Sequence, residues 1–95
     1  QTLHYGAAKS ALETAALGLS KAGAKHNVLV NTVRGGYIDT PMHEKMGRKN
    51  LKERIDMIPL KRAGKPQDMA GMVLFLASEA GDFITGETFT VAGGD

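Results

Sequence analysis

The chain has 95 residues, a net charge of +2, 42% hydrophobic residues and no cysteine; that is enough for one small domain with a modest core, and it excludes disulfides and cysteine-based zinc sites. No run approaches the ~18 apolar residues of a membrane span, and Gln1-Thr2-Leu3-His4 opens without the basic region and long apolar stretch of a secretory signal, so a cytoplasmic protein with no membrane partner is expected. His4, His26 and His43 are scattered without ligand spacing, so no metal is expected.

Residues 5 to about 24 read as the first helix. At 100° per residue, Tyr5, Lys9, Leu12, Ala16 and Leu19 fall on one stripe. Beside it runs a second stripe of small residues, Ala7, Ala11, Ala15, Gly18 and Ala22. A helix apolar over half its circumference needs cover on two sides, so one face is expected in the core and the other at a subunit interface. Tyr5 and Lys9 stand four apart and project from one face, a turn apart. A cation beside a tyrosine favours the phenolate form, which turns an inert phenol into a proton donor or acceptor.

Gly23 and Asn27 are stop signals. The β-branched run Val28-Leu29-Val30-Asn31-Thr32-Val33 then reads as a strand buried on both faces, as in a parallel sheet. Arg34-Gly35-Gly36 breaks it. Two glycines at a strand's C-terminal end permit positive φ and close approach by a ligand, and in open α/β sheets the ligand crevice lies outside such ends.

Residues 41 to 58 are amphipathic and Met-rich, with Met42, Met46 and Met57 offering an adaptable apolar surface; they read as one or two short helices ended by Pro59. The stretch from Lys45 to Lys65 carries eight basic residues against Glu53 and Asp56. It has no aromatic residue for base stacking, so it reads as a solvated basic face and not a nucleic-acid site; a docking surface for an acidic carrier or a phosphorylated substrate is the other reading. Pro66 suits the first position of a helix, with Asp68 in its first turn, and Ala70, Val73, Leu74 and Ala77 continue the spacing to Gly81-Asp82. Thr85-Gly86 is a turn, and Glu87 to Val91 alternates as a strand closed by Gly93-Gly94. The expected class is α/β, in the order helix, strand, short helices, helix, strand, with a parallel crossover.

Four motifs occur in one order: Tyr5-x-x-x-Lys9; Asn31-Thr32-Val33-Arg34-Gly35-Gly36-Tyr37-Ile38-Asp39-Thr40; Pro59-Leu60-Lys61-Arg62-Ala63-Gly64-Lys65-Pro66 leading into Val73-Leu74-Phe75-Leu76-Ala77-Ser78; and Ile84-Thr85-Gly86-Glu87 leading into Val91-Ala92-Gly93-Gly94. The set resembles the C-terminal part of the short-chain dehydrogenase/reductase family, over essentially all 95 residues. The resemblance implies the C-terminal portion of a Rossmann-type parallel sheet. It implies an NAD(P)-dependent oxidoreductase that moves hydride between NAD or NADP and a small alcohol or carbonyl. Tyr5 then corresponds to the acid/base and Lys9 to its partner, which also hydrogen-bonds the nicotinamide ribose. Gly35, Gly36, Tyr37, Ile38 and Thr40 correspond to the loop on the nicotinamide, with Ile38 acting through its backbone and Thr40 through its hydroxyl. Thr40 is equally suited to cap a helix starting at Pro41. Segment 41–58 is similar to the substrate lid, with Met42, Met46 and Met57 facing substrate.

The chain departs from the family where Gly35 replaces the usual proline, which loosens the loop. It also holds no Gly-rich pyrophosphate signature, and only four residues precede Tyr5, where the family's serine lies about a dozen before. A single partial domain with an incomplete cofactor site is therefore expected over 1–95, inactive alone. Two outcomes follow: the chain is part of an oxidoreductase acting on a hydroxyl/carbonyl pair, of which 3-oxoacyl-carrier-protein, sugar and simple ketone substrates are all examples, or it is a non-catalytic module that self-associates as a homo-oligomer through helix 5–24 and its exposed strand edge.

Overall fold

An alanine- and leucine-rich segment free of proline builds the longest element, α1, Leu3–Ala24. In this computed structural model, which describes residues 3–41 and 48–95 (with the side chains of 48 and 49 left aside), the elements that follow are β1 Thr32–Gly35, α2 Arg48–Asp56, α3 Pro66–Ala77 and β2 Thr88–Val91. The order is the one the sequence predicts. The chain forms two compact units, Gln1–Thr32 with Leu76–Phe89, and Val33–Phe75 with Thr90–Asp95.

In the first unit, α1 ends where His26 N and Val28 N both donate to Gly23 O, and Asn27 takes a left-handed φ of 59°. Asparagine is among the few residues that tolerate that conformation. The face of α1 that meets its unit differs from expectation. Leu12 and Leu19 are 60% and 61% exposed, and Ala11, Ala15 and Gly18 are exposed too. The covered positions are Gly6, Glu13, Ala16, Ser20 and Gly23, with Ser20 buried. The reason is the turn at Gly86, which comes so close that a Cβ there would lie 2.9 Å from Ser20 Oγ. The small Ser20 side chain admits that approach.

The strand also sits later than the apolar run suggests. Val28 and Leu29 are exposed, and the β structure spans Thr32–Gly35. Hydrogen bonding to β2 decides this. Thr32 N donates to Glu87 O in the first unit and Gly36 N to Val91 O in the second; the partners advance together, so the two-stranded ladder is parallel. Ahead of Thr32 the chain is held mostly by side chains, with one backbone bond. Val30 N donates to Thr85 Oγ1, Gly86 N to Val30 O, and Asn31 both donates to Ile84 O at 3.0 Å and accepts from Glu87 N at 3.1 Å.

In the second unit, α3 begins at Pro66 as its fixed φ favours. Asp68, three residues past Lys65, accepts the Lys65 N–H at 2.7 Å, which is half of a capping box. The helix stops at Ala77, before the Gly81 expected to end it; Ser78 then caps a 3-10 turn at Glu79–Gly81. A Cβ at Gly81 would lie 2.3 Å from Leu76 O, which explains the glycine. Among the described residues the buried hydrophobic side chains are Tyr37 and Ile58, both in the second unit.

Candidate active site

Tyr5 and Lys9 occupy successive turns of α1 in the first unit. The Lys9 ammonium stands over the Tyr5 ring, 5.5 Å from its centroid, a cation–π contact from the residue one turn on. The Tyr5 side chain is about half exposed. The phenol is thus accessible to a substrate and has a positive charge beside it.

The segment 35–40 lies in the second unit. The sequence permits positive φ at Gly35 and Gly36, but neither has it; among the described residues the glycines that do are Gly86, Gly93 and Gly94. The close approach at Gly36 comes from the chain itself, since a Cβ there would lie 2.6 Å from the Cβ of Ala92. A Cβ at Gly35 would meet the flexible end of Met69 at 3.1 Å and Ile38 Cγ1 at 3.4 Å.

Beyond Gly36 the segment makes an isolated parallel bridge, Ile38 to Gly64. Gly64 N donates to Tyr37 O at 2.9 Å and Asp39 N to Gly64 O at 2.7 Å. In a parallel bridge the bonds on one side are made by the residues flanking the central one. The N–H and C=O of Ile38 therefore face the opposite edge. A primary carboxamide carries one acceptor oxygen and a donor nitrogen, and an exposed donor and acceptor on one residue match it. The backbone of Ile38 fits the nicotinamide carboxamide in this respect.

Tyr37 is buried beneath the Arg54 guanidinium, whose carbon is 5.2 Å from the ring centroid. Arg54 Nη2 donates to Asp95 Oδ2 at 2.5 Å. Tyr37 and Ile38 also line a cavity of ≈ 180 Å3 with Leu60, Arg62, Gly64 and Asp68. That is below the range of a site enclosing a whole small-molecule ligand. Arg62 Nη1 donates to Asp68 Oδ2 at 3.0 Å. The backbone N–H of Lys65 and then the Arg62 guanidinium hold the Asp68 carboxyl below the usual carboxylate value.

Thr40 is half-buried. The helix it was expected to cap, and the lid residues Met42 and Met46, lie outside the described residues. Met57 follows α2 and is 70% exposed. Gly64, which holds the 37–39 backbone, stands in a motif quoted from the sequence without a role of its own, and Arg54 and its partner Asp95 were given no role there. Only Arg54 carried a signal, as the cation in the last turn of α2.

Comparison with known proteins agrees with this architecture. Residues 1–95 match the sequence family described as enoyl-(acyl carrier protein) reductase. A 3-oxoacyl-(acyl-carrier-protein) reductase of Thermotoga maritima is 38% identical over 95 residues, covering 96% of this chain and 37% of the relative. The crystal structure of a 3-oxoacyl-(acyl-carrier protein) reductase from Brucella melitensis superposes with a TM-score of 0.91 at 34% identity, over 97% of this chain and 34% of that one. YwfH, an NADPH-dependent reductase of bacilysin biosynthesis, gives a TM-score of 0.82 at 33% identity, over 90% and 36% of the two chains. The chain belongs to the short-chain dehydrogenase/reductase family of oxidoreductases. It spans a little over a third of the length of the relatives it matches.

Proposed function

We propose that this chain supplies the acid/base pair and the nicotinamide loop of an NAD- or NADP-dependent oxidoreductase acting on a small alcohol/carbonyl pair. The observation that carries the reading is the Lys9 ammonium over the ring of a half-exposed Tyr5, in a chain of this family. A bound nicotinamide supplies hydride to the carbonyl carbon, or takes it from the alcohol. Tyr5 gives its hydroxyl proton to the carbonyl oxygen in the reductive direction and recovers it in the oxidative one, which avoids a free alkoxide. Lys9 places a positive charge beside the phenolate left behind. Ile38 offers its outward N–H and C=O to the carboxamide, with Gly35, Gly36, Tyr37 and Thr40 shaping the loop. Segment 41–58, with Met42, Met46 and Met57, covers the substrate and excludes water.

The activities for which two relatives are named favour a 3-oxoacyl thioester as the first substrate to try. In the full-length protein, Tyr5→Phe should lower NAD(P)H-dependent reduction of acetoacetyl-CoA by about 100-fold or more. Turnover within a few-fold of wild type would remove Tyr5 from the chemistry. The 95 residues hold no pyrophosphate-binding signature, so the purified 95-residue chain should show no nicotinamide-dependent turnover; measurable turnover would contradict this.

The second reading is self-association, and it is compatible with the first. The exposed leucine stripe and the open small-residue stripe of α1 favour a homo-oligomer formed along that helix.

A further inference from the structure

Helix α2 lies within the segment proposed to cover the substrate, and the loop 37–40 is proposed to face the nicotinamide. One side chain joins them. Arg54, in the last turn of α2, lays its guanidinium over the buried ring of Tyr37 at 5.2 Å. The planar, weakly hydrated guanidinium is suited to this stacking in a way an ammonium is not. Asp95 holds it from the side at 2.5 Å, with both side chains of the pair mostly covered. Other contacts fix each partner separately. The C-terminal end of α2 is anchored by the buried Ile58, whose N–H donates to Ile55 O. The loop is anchored by its two backbone bonds to Gly64. The guanidinium–ring contact ties the two together. If α2 moves outward, the ring loses its cover and the loop loses support on that side.

We infer that Arg54, steadied by Asp95, is a positioning residue that couples helix α2 to the loop 37–40 through the Tyr37 ring, so that the substrate-covering helix and the cofactor loop order together. The consequence for catalysis rests on the reading given under Proposed function; the coupling itself does not.

Hydrogen exchange on the full-length protein tests the coupling without reference to activity. The reporters are the amides of Asp39 and Gly64, whose bonds of 2.7 and 2.9 Å hold the loop. Arg54→Met should speed their exchange about 5- to 10-fold, and Arg54→Lys, which keeps the charge without the planar stack, should fall between Arg54→Met and wild type. The Glu87 amide, bonded to Asn31 in the other unit, should not change. Wild-type exchange at Asp39 and Gly64 in Arg54→Met overturns the inference, and so does equal acceleration at Glu87, which marks general loosening. If Arg54→Met does not fold, Asp95→Asn should speed the same two amides about 2- to 3-fold, and no change there is equally decisive. With NADPH and acetoacetyl-CoA, Arg54→Met should raise the KM for NADPH several-fold with little change in kcat. Absence of turnover in the wild type counts against the proposed function and leaves the exchange result to decide the coupling.

Discussion

Asp68 accepts the Lys65 N–H and an Arg62 guanidinium bond on one carboxylate, and its affinity for a proton drops accordingly. A group whose folded value lies below its unfolded one stabilises the fold fully above the ordinary value of 3.8, and that contribution is lost as the pH falls through the folded value. Asp68→Asn should therefore be less stable than wild type near neutral pH, with the deficit vanishing in acid. Denaturant midpoints taken at about pH 7 and about pH 2.5 check this; a deficit that persists in acid would assign the loss to packing. The acidic first turn of α3 was legible from Pro66 and Asp68 alone, because capping is local chemistry. The partnership with Arg62 was not, since it depends on how the loop 61–65 folds back. At Gly36 the residue type was legible and the reason was not: the sequence suggests room for a ligand, whereas Ala92 of the same chain takes that room.

Among the elements, the joint between β1 and the 84–87 turn rests on Asn31. Its amide satisfies one acceptor and one donor 53 and 56 residues away in sequence. Asn31→Ala leaves both unpaired and should cost about 1–3 kcal/mol, read as a lower urea midpoint with faster exchange at the Glu87 amide. An unchanged Glu87 amide would show that the Asn31 bonds do not hold the turn. The element order and types followed from periodicity and punctuation, but β1 is displaced to Thr32–Gly35 from the run at 28–33. An apolar run reports burial, and a strand begins where a partner's carbonyls are in reach; the first such partner here is Glu87. The same distinction explains α1. One of its two stripes was expected in the core and the other at an interface; both are largely exposed, and the side that meets the close turn at Gly86 is the one with Ser20.

At the scale of the whole molecule, exposed large apolar side chains outnumber buried ones among the described residues: Leu12, Leu19, Leu74 and Phe83 are exposed, against Tyr37 and Ile58 inside. Such surface is normally covered by further protein. On α1 a Cβ at Gly18 meets nothing within 4 Å among the described residues, so Gly18→Leu clashes with none of them and reports on whatever further protein covers that face. Analytical ultracentrifugation of the full-length protein should show the variant shifted toward smaller species, with a dissociation constant raised at least about 10-fold by overpacking at the contact; an unchanged assembly would place the interface elsewhere. The family was legible because four short motifs share one order, each set by local backbone and side-chain needs. The most direct test of the central claim is NAD(P)H-dependent reduction of acetoacetyl-CoA by the full-length protein and its Tyr5→Phe variant. The account predicts turnover in the first and a loss of about 100-fold or more in the second; equal turnover in both, or none in the wild type with any carbonyl tried, would contradict it.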